Sequence, residues 1–345
     1  VTAALQLGFL YDYPQPDGGE SFEAAVRLGL EESGTANGAV GFVTRHAEGL
    51  PAGSTDNVLD SLRELEREGV VLVLGPSISD NGVVAGPLAD ELRLPCINYT
   101  GGERTRSEYM FHYQIGSLEE EPAILARRAA QRGLGRVAVC FDESIVGRRY
   151  REWFEYARRV EGLEIVGELP VPPLSEDLAT PLASLQHHAP DALVYLGLGV
   201  ASRAVALALQ QLDWNVPVLA NSALMFGYAR PDWRDGWTGW EYVDTVADDN
   251  SVRRAVHDRS RYAGSGPMGA AAYDLGRLVG EAIVRAPEPT RAGLLEGLQR
   301  TKQLRAASGY DGTVMGFGHW DRAALKGRFL VLRTWRDGRS VEVDA

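Results

Sequence analysis

Short apolar runs alternate with amphipathic stretches of helical period as far as residue 99, and the same alternation starts again at residue 119. ALQLGFLY (4–11), AVGFVTR (39–45), VVLVL (70–74) and LPCINY (94–99) read as strands. Between them, FEAAVRLGLEES (22–33) sets Phe22, Ala25, Val26, Gly29 and Leu30 on one helical face, NVLDSLRELERE (57–68) is expected to be capped by Asp56 or Asn57, and a third helix covers about 80–93. Near-continuous apolar strands separated by helices mark a parallel sheet covered on both faces.

The second set comprises helices at 119–133, 147–160, 177–188 and 202–212, with strands at 136–142, 162–169, 191–197 and 216–221. Two sets predict two α/β lobes. The remainder holds helical stretches at about 250–262, 268–286 and 289–301, then hairpin-like segments through GRFLVLRTWRDG and RSVEV. It does not close as a third lobe, so the chain is expected to cross between lobes more than once and leave each one discontinuous.

Composition narrows the partners. A formal charge of −12 opposes nucleic acid and anionic lipid, which require a basic face. No stretch approaches the roughly 18 continuous apolar residues of a membrane helix, so direct membrane insertion is not expected. Cys96 and Cys140 lie in apolar strand runs and read as buried core thiols. No signal peptide is visible at VTAALQLGFLYDY, which leaves either a removed leader or a cytoplasmic protein.

No nucleophile elbow, zinc motif or Walker loop occurs. GLGVAS (197–202) nearly matches a dinucleotide fingerprint, but Ser202 stands at the third glycine and LANSALM offers no acid where a ribose partner belongs, about 20 residues on. No cofactor or metal is called for, and an enzyme reading would rest on GLGVAS alone. Glu119–Glu121 open a helix and read as dipole or capping residues. What stands out is the set of segments at strand ends: Asp12 and Tyr13, GPSISDN (75–81), NYTGG (98–102), DESIVG (142–147), GLGV (197–200) and ANSALM (220–225). Ligands of open parallel sheets bind beyond the carboxyl ends of the strands, and hydroxyls, side-chain amides and helix N-terminal N–H groups suit a small polar ligand.

The segments VLGPSISDN, LPCINYTGG, FHYQIGSLEEEPAILARRAAQRGLGRVAVCFDESIVGRRY, PDALVYLGLG and AAAYDLGRLVGEAI, in this order, resemble the type I periplasmic binding proteins, specifically the branched-chain amino acid receptor family of ABC transporters. The resemblance implies two Rossmann-like lobes, 1–117 with 245–325 and 118–244 with 326–345, joined by three crossovers and closing on a ligand by hinge motion. It assigns Ser77, Ser79 and the backbone at Ile78 to gripping a ligand carboxylate, with Thr100, Tyr99 and Gly101 forming a second such turn after Asn98. In the second lobe it points to the loop around Glu143 and Val146, where relatives often carry an aromatic just before Gly147, and to Leu198 and Gly199. Amino-acid binders commonly place a glutamate where this chain has Asn221 and Ser222. An unpaired buried ammonium is costly, so unless Asp12, Asp80 or Glu143 takes that role, the expected ligand is a small organic acid or amide, stacked on Tyr13, Tyr99 or Tyr150. The implied function is that of an extracytoplasmic solute receptor, a binder with no turnover that serves an ABC permease. The alternative is a cytoplasmic ligand sensor of the same fold.

Overall fold

A computed structural model describes residues 5–15, 17–35, 39–228, 230–259 and 266–343. The chain divides into two compact units, one formed by Val1–Ile115 with Val246–Phe329 and the other by Gly116–Thr245 with Leu330–Ala345.

The first unit begins with β1 (Leu5–Tyr11), α1 (Glu20–Glu32), β2 (Val40–His46), α2 (Thr55–Arg67), β3 (Leu72–Leu74), α3 (Ser79–Leu92), β4 (Cys96–Thr100) and β5 (Met110–Gln114). The strands pair in parallel in the order β2-β1-β3-β4-β5, so β1 lies in the interior and β3 and β4 are its successors on one side. The cap of α2 differs from the expectation. Ser54, in extended conformation, accepts the Asn57 N–H at 3.4 Å, while Asp56 and Asn57 sit inside the first turn. The strand β5 was not anticipated. His112 and Gln114 interrupt its apolar pattern, yet both are buried and bonded: Arg106 Nε donates to His112 Nδ1 at 3.0 Å, and Gln114 Oε1 accepts the Ala324 and Leu325 N–H groups at 3.0 and 2.9 Å.

The second unit continues with α4 (Glu121–Gln131), β6 (Arg136–Asp142), α5 (Ile145–Glu161), β7 (Glu164–Val171), α6 (Ala179–Gln186), β8 (Ala192–Leu196), α7 (Ser202–Gln211), β9 (Val218–Ala220), the short α8 (Pro231–Arg234) and β10 (Glu241–Asp244). The chain then returns to the first unit as α9 (Ser251–Arg259), α10 (Pro267–Arg285), α11 (Arg291–Arg300) and a small antiparallel sheet of β11 (Leu304–Arg305), β12 (Val314–Met315) and β13 (Leu325–Lys326). The end of the helix expected at 250–262 and the first residue of the strand expected at 4–11 lie outside the described residues. Last, β14 (Val331–Arg336) and β15 (Arg339–Glu342) form an antiparallel hairpin that joins the second unit beside β10, completing a mixed sheet ordered β15-β14-β10-β9-β8-β6-β7.

In the first unit the returning chain docks at glycines. A Cβ on Gly29 of α1 would lie 2.2 Å from the Tyr273 carbonyl oxygen, and one on Gly276 of α10 would lie 2.1 Å from that of Val26. Both obstacles are backbone, so neither can step aside. Gly276→Ala should therefore destabilise the first unit by about 2 kcal/mol or more, despite alanine's better helix propensity, as read by urea unfolding.

Candidate functional site

The loops beyond the carboxyl ends of the strands are fixed by buried carboxylates. In the first unit, Asp12 follows β1 and is buried. Its Oδ1 accepts the N–H and hydroxyl of Ser77, both at 2.7 Å; its Oδ2 accepts the Ile78 N–H at 3.0 Å and Asn81 Nδ2 at 2.8 Å. These donors gather at the start of α3, where free N–H groups and the helix dipole favour an anion. Burial raises the Asp12 pKa, and the bonds from Asn81, Ser77 and Ile78 oppose that rise. The loop reaches Asp12 because Gly75, at φ 125°, passes so close to β1 that a Cβ would sit 2.2 Å from the Leu10 oxygen.

The turn after β4 forms a second closed group. Thr100 Oγ1 donates to Asn98 Oδ1 at 3.1 Å and accepts the Gly102 N–H at 3.3 Å; Asn98 Nδ2 donates to the Phe111 carbonyl at 3.0 Å. Ser79, the first residue of α3, meets this turn, with its Oγ 3.0 Å from where a Cβ of Gly102 would stand. Tyr99 is buried and stacks on Phe22 at 4.9 Å, whereas Tyr13 and Gly101 are only half-buried.

In the second unit two carboxylates play the part of Asp12. Asp142, at the end of β6, accepts the Tyr195 hydroxyl at 2.9 Å and the Leu198 N–H at 2.7 Å. Glu121, at the start of α4, accepts the Ser117 N–H at 2.6 Å, the Tyr150 hydroxyl at 3.0 Å, and the N–H and hydroxyl of Ser222 at 2.6 and 2.8 Å. Full burial outweighs these donors and lifts its pKa from 4.5 to about 7. Asn221 holds the neighbouring loop: its Oδ1 accepts the Gly197 N–H at 3.1 Å and its Nδ2 donates to the Gly197 carbonyl at 2.8 Å. Gly199, at φ 87°, lies where a Cβ would be 2.4 Å from the Ala223 oxygen.

The residues singled out from sequence thus fall into groups within each unit. Asp12, Ser77 and Ile78 share one network, Asn98 and Thr100 another with Ser79 beside it, and Tyr150, Ser222 and Asn221 surround Glu121 and Gly197. Val146 and Leu198 are buried; Glu143 is exposed and its N–H donates to the Val171 carbonyl at 2.7 Å. Sequence reasoning included Asn81 in the GPSISDN segment without its bond to Asp12, and missed the burial of Glu121. In the run Glu119–Glu121 only the third member is buried, and its one distinguishing mark is its place directly before Pro122. Among the described residues no group of three or more His, Cys, Asp or Glu side chains could hold a metal ion. Cys96 and Cys140 are buried free thiols whose pKa is pushed up by burial.

A family model described as periplasmic binding protein matches residues 5–330. The chain belongs to the periplasmic binding protein family. Its fold is that of type I members, similar to a leucine-binding protein from Thermotoga maritima (16% identity, 99% of this chain and 98% of that one, TM-score 0.82). It is similar also to an ABC transporter substrate-binding protein from Desulfitobacterium hafniense in complex with Leu (17%, 99% and 100%, TM-score 0.78). A third is an ABC transporter solute-binding protein from Rhodopseudomonas palustris in complex with 3,4-dihydroxybenzoic acid (19%, 99% and 96%, TM-score 0.81). At these identities the likeness is one of fold. No match is found among curated proteins.

In this periplasmic binding protein the buried acids make two measurable predictions. Asp12→Ala strands the Ser77 and Ile78 N–H groups and takes one of the two acceptors of the Asn81 amide nitrogen, and should cost on the order of 3 kcal/mol in urea unfolding. Glu121 is neutral in folded and unfolded chains below pH 4.5, but above about pH 7 it is ionised in both, with the folded state bearing the cost. Its contribution to stability is therefore present at low pH and lost as pH rises through about 7, a difference of about 3 kcal/mol. Glu121→Gln should flatten that part of the stability-against-pH curve relative to the unsubstituted protein.

Proposed function

We propose that the chain is an extracytoplasmic solute receptor that binds a small organic carboxylate or amide, without turnover, for an ABC permease. The observation that carries the ligand class is Asn221. It stands where the resemblance places an ammonium-pairing glutamate in amino-acid binders, and its side-chain oxygen and nitrogen each bond the Gly197 backbone. Three of the buried acids at these loops are occupied too: Asp12, Asp142 and Glu121 each serve backbone N–H groups of their own unit, and Asp80 is buried in the first turn of α3. Placing an α-ammonium against Asn221 would set a buried cation on a side-chain amide instead of a carboxylate.

Ser79 and the N-terminal turn of α3 supply hydroxyl and N–H donors suited to an acid or amide oxygen, and half-buried Tyr13 supplies a ring face. Relatives of the same fold take leucine in one case and 3,4-dihydroxybenzoic acid in another, so the scaffold is compatible with either class and the side chains decide. Among the described residues no helix is long and apolar enough to cross a membrane, in keeping with a receptor that reaches the bilayer through a partner.

The test is a thermal-shift screen against aromatic and aliphatic carboxylates, amides and branched-chain amino acids. A true ligand at a hundredfold excess over its Kd stabilises by about 2.7 kcal/mol. Carboxylates or amides should give the hits. Leucine as the sole hit would overturn the ligand class. Asn221→Glu should weaken binding of the hit at least tenfold, because the Gly197 loop loses its clamp; a variant that instead gains leucine affinity would keep the binding place and discard the ligand class.

A further inference from the structure

The helix α5 leaves an apolar seam uncovered. Trp153, Tyr156 and Val160 are 37%, 62% and 83% exposed, and the Trp153 and Tyr156 rings lie 5.9 Å apart. A solvated helix face is normally polar, and here the neighbouring positions are: Arg148, Glu152 and Arg159 are exposed. The spacing of the apolar residues, three then four, is that of a coiled-coil seam. Written as heptads, Trp153 and Val160 occupy a, Arg149 and Tyr156 occupy d, and Glu152 and Arg159 are successive g positions.

The charges choose the occupant. In an antiparallel helix pair the g flank of one helix runs along the g flank of the other in the opposite direction. Two copies of α5 related by a twofold axis would then bring Trp153 of one against Tyr156 of the other, and Glu152 of one against Arg159 of the other, each contact occurring twice. A parallel pair would set g against e, and the e positions, Tyr150 and Ala157, are buried within their own unit and offer no charge. Arg159 shares Glu155 with Arg158 at 2.7 and 2.6 Å, and its side chain remains 63% exposed. The helix reaches β7, the edge strand of its sheet, through Arg151, whose Nε donates to Glu168 Oε1 at 2.9 Å.

We propose that α5 is a self-association surface on which a second copy of this chain docks antiparallel through Trp153, Tyr156 and Val160, with register set by the Glu152–Arg159 pairs. One helix seam is small for a stable interface, so the dimer forms at high local concentration.

Sedimentation velocity of the full chain across the micromolar to millimolar range should show a concentration-dependent approach to dimer mass. Glu152→Arg and Arg159→Glu, each alone, should weaken association at least tenfold by putting like charges at both contacts. An equimolar mixture of these two variants should recover association, since one chain then carries two positive g positions and the other two negative ones. That recovery also excludes misfolding as the cause of the single-variant loss. A monomer at every concentration would overturn the proposal, as would a mixture associating no better than either variant alone. A chain that stays monomeric but binds phosphatidylcholine vesicles through Trp153 would reassign the face to a membrane.

Discussion

Three buried carboxylates hold the loops at the strand ends of this protein. A loop that leaves a parallel sheet takes its N–H groups out of the ladder, and those donors need acceptors if the loop is to be buried. Asp12, Asp142 and Glu121 meet this demand, each accepting at least one backbone N–H from a segment distant in sequence. The cost is desolvation of the charge, visible in the raised pKa of Asp12 and Glu121. The gain is a set of loops whose geometry exists before any ligand arrives, which lowers the ordering cost of binding.

The same use of buried polar side chains explains how the returning chain is held in the first unit. The strands β11, β12 and β13 are two residues each and could not persist alone. Around them, His112 exchanges backbone hydrogen bonds with Arg322 and Ala324 at 2.8 Å, and Gln114 bonds the backbone of Ala324 and Leu325. Asp274 on α10 accepts the Tyr113 hydroxyl at 2.7 Å and the N–H groups of Ala307 and Ser308. His112 stays neutral in this setting, its pKa lowered to about 3 chiefly by burial and next by Arg106. A discontinuous unit thus depends on β5, a strand whose polar residues hid it from pattern reading.

Much of the fold was legible because its signals are local. Apolar runs at 4–11, 70–74 and 191–197 and helical stripes such as Val58, Leu62 and Leu65 carry their own period, and β1, β3 and β8 fall within those runs while the stripe lies on α2. The departures are local competitions that periodicity does not rank. Ser54 rather than Asp56 caps α2, since the capping position is fixed by where the chain turns from extended to helical. Glu121 looks like its two neighbours in sequence, yet only it points inward.

The sequence by itself determined the order of strands and helices apart from β5 and β10, the two α/β sets, the failure of the tail to form a third, and the donor-rich character of the loops at the strand ends. Tertiary structure alone decided which of those donors are already spent: the Ser77 and Ile78 amides on Asp12, Ser222 on Glu121, and Asn221 on Gly197. The physical reason is range. Helix and strand periods are set by residues a few positions apart, whereas Asp12 meets Ser77 across 65 residues and Glu121 meets Ser222 across 101. A hydrogen bond also needs distance and direction together, which no spacing along the chain encodes.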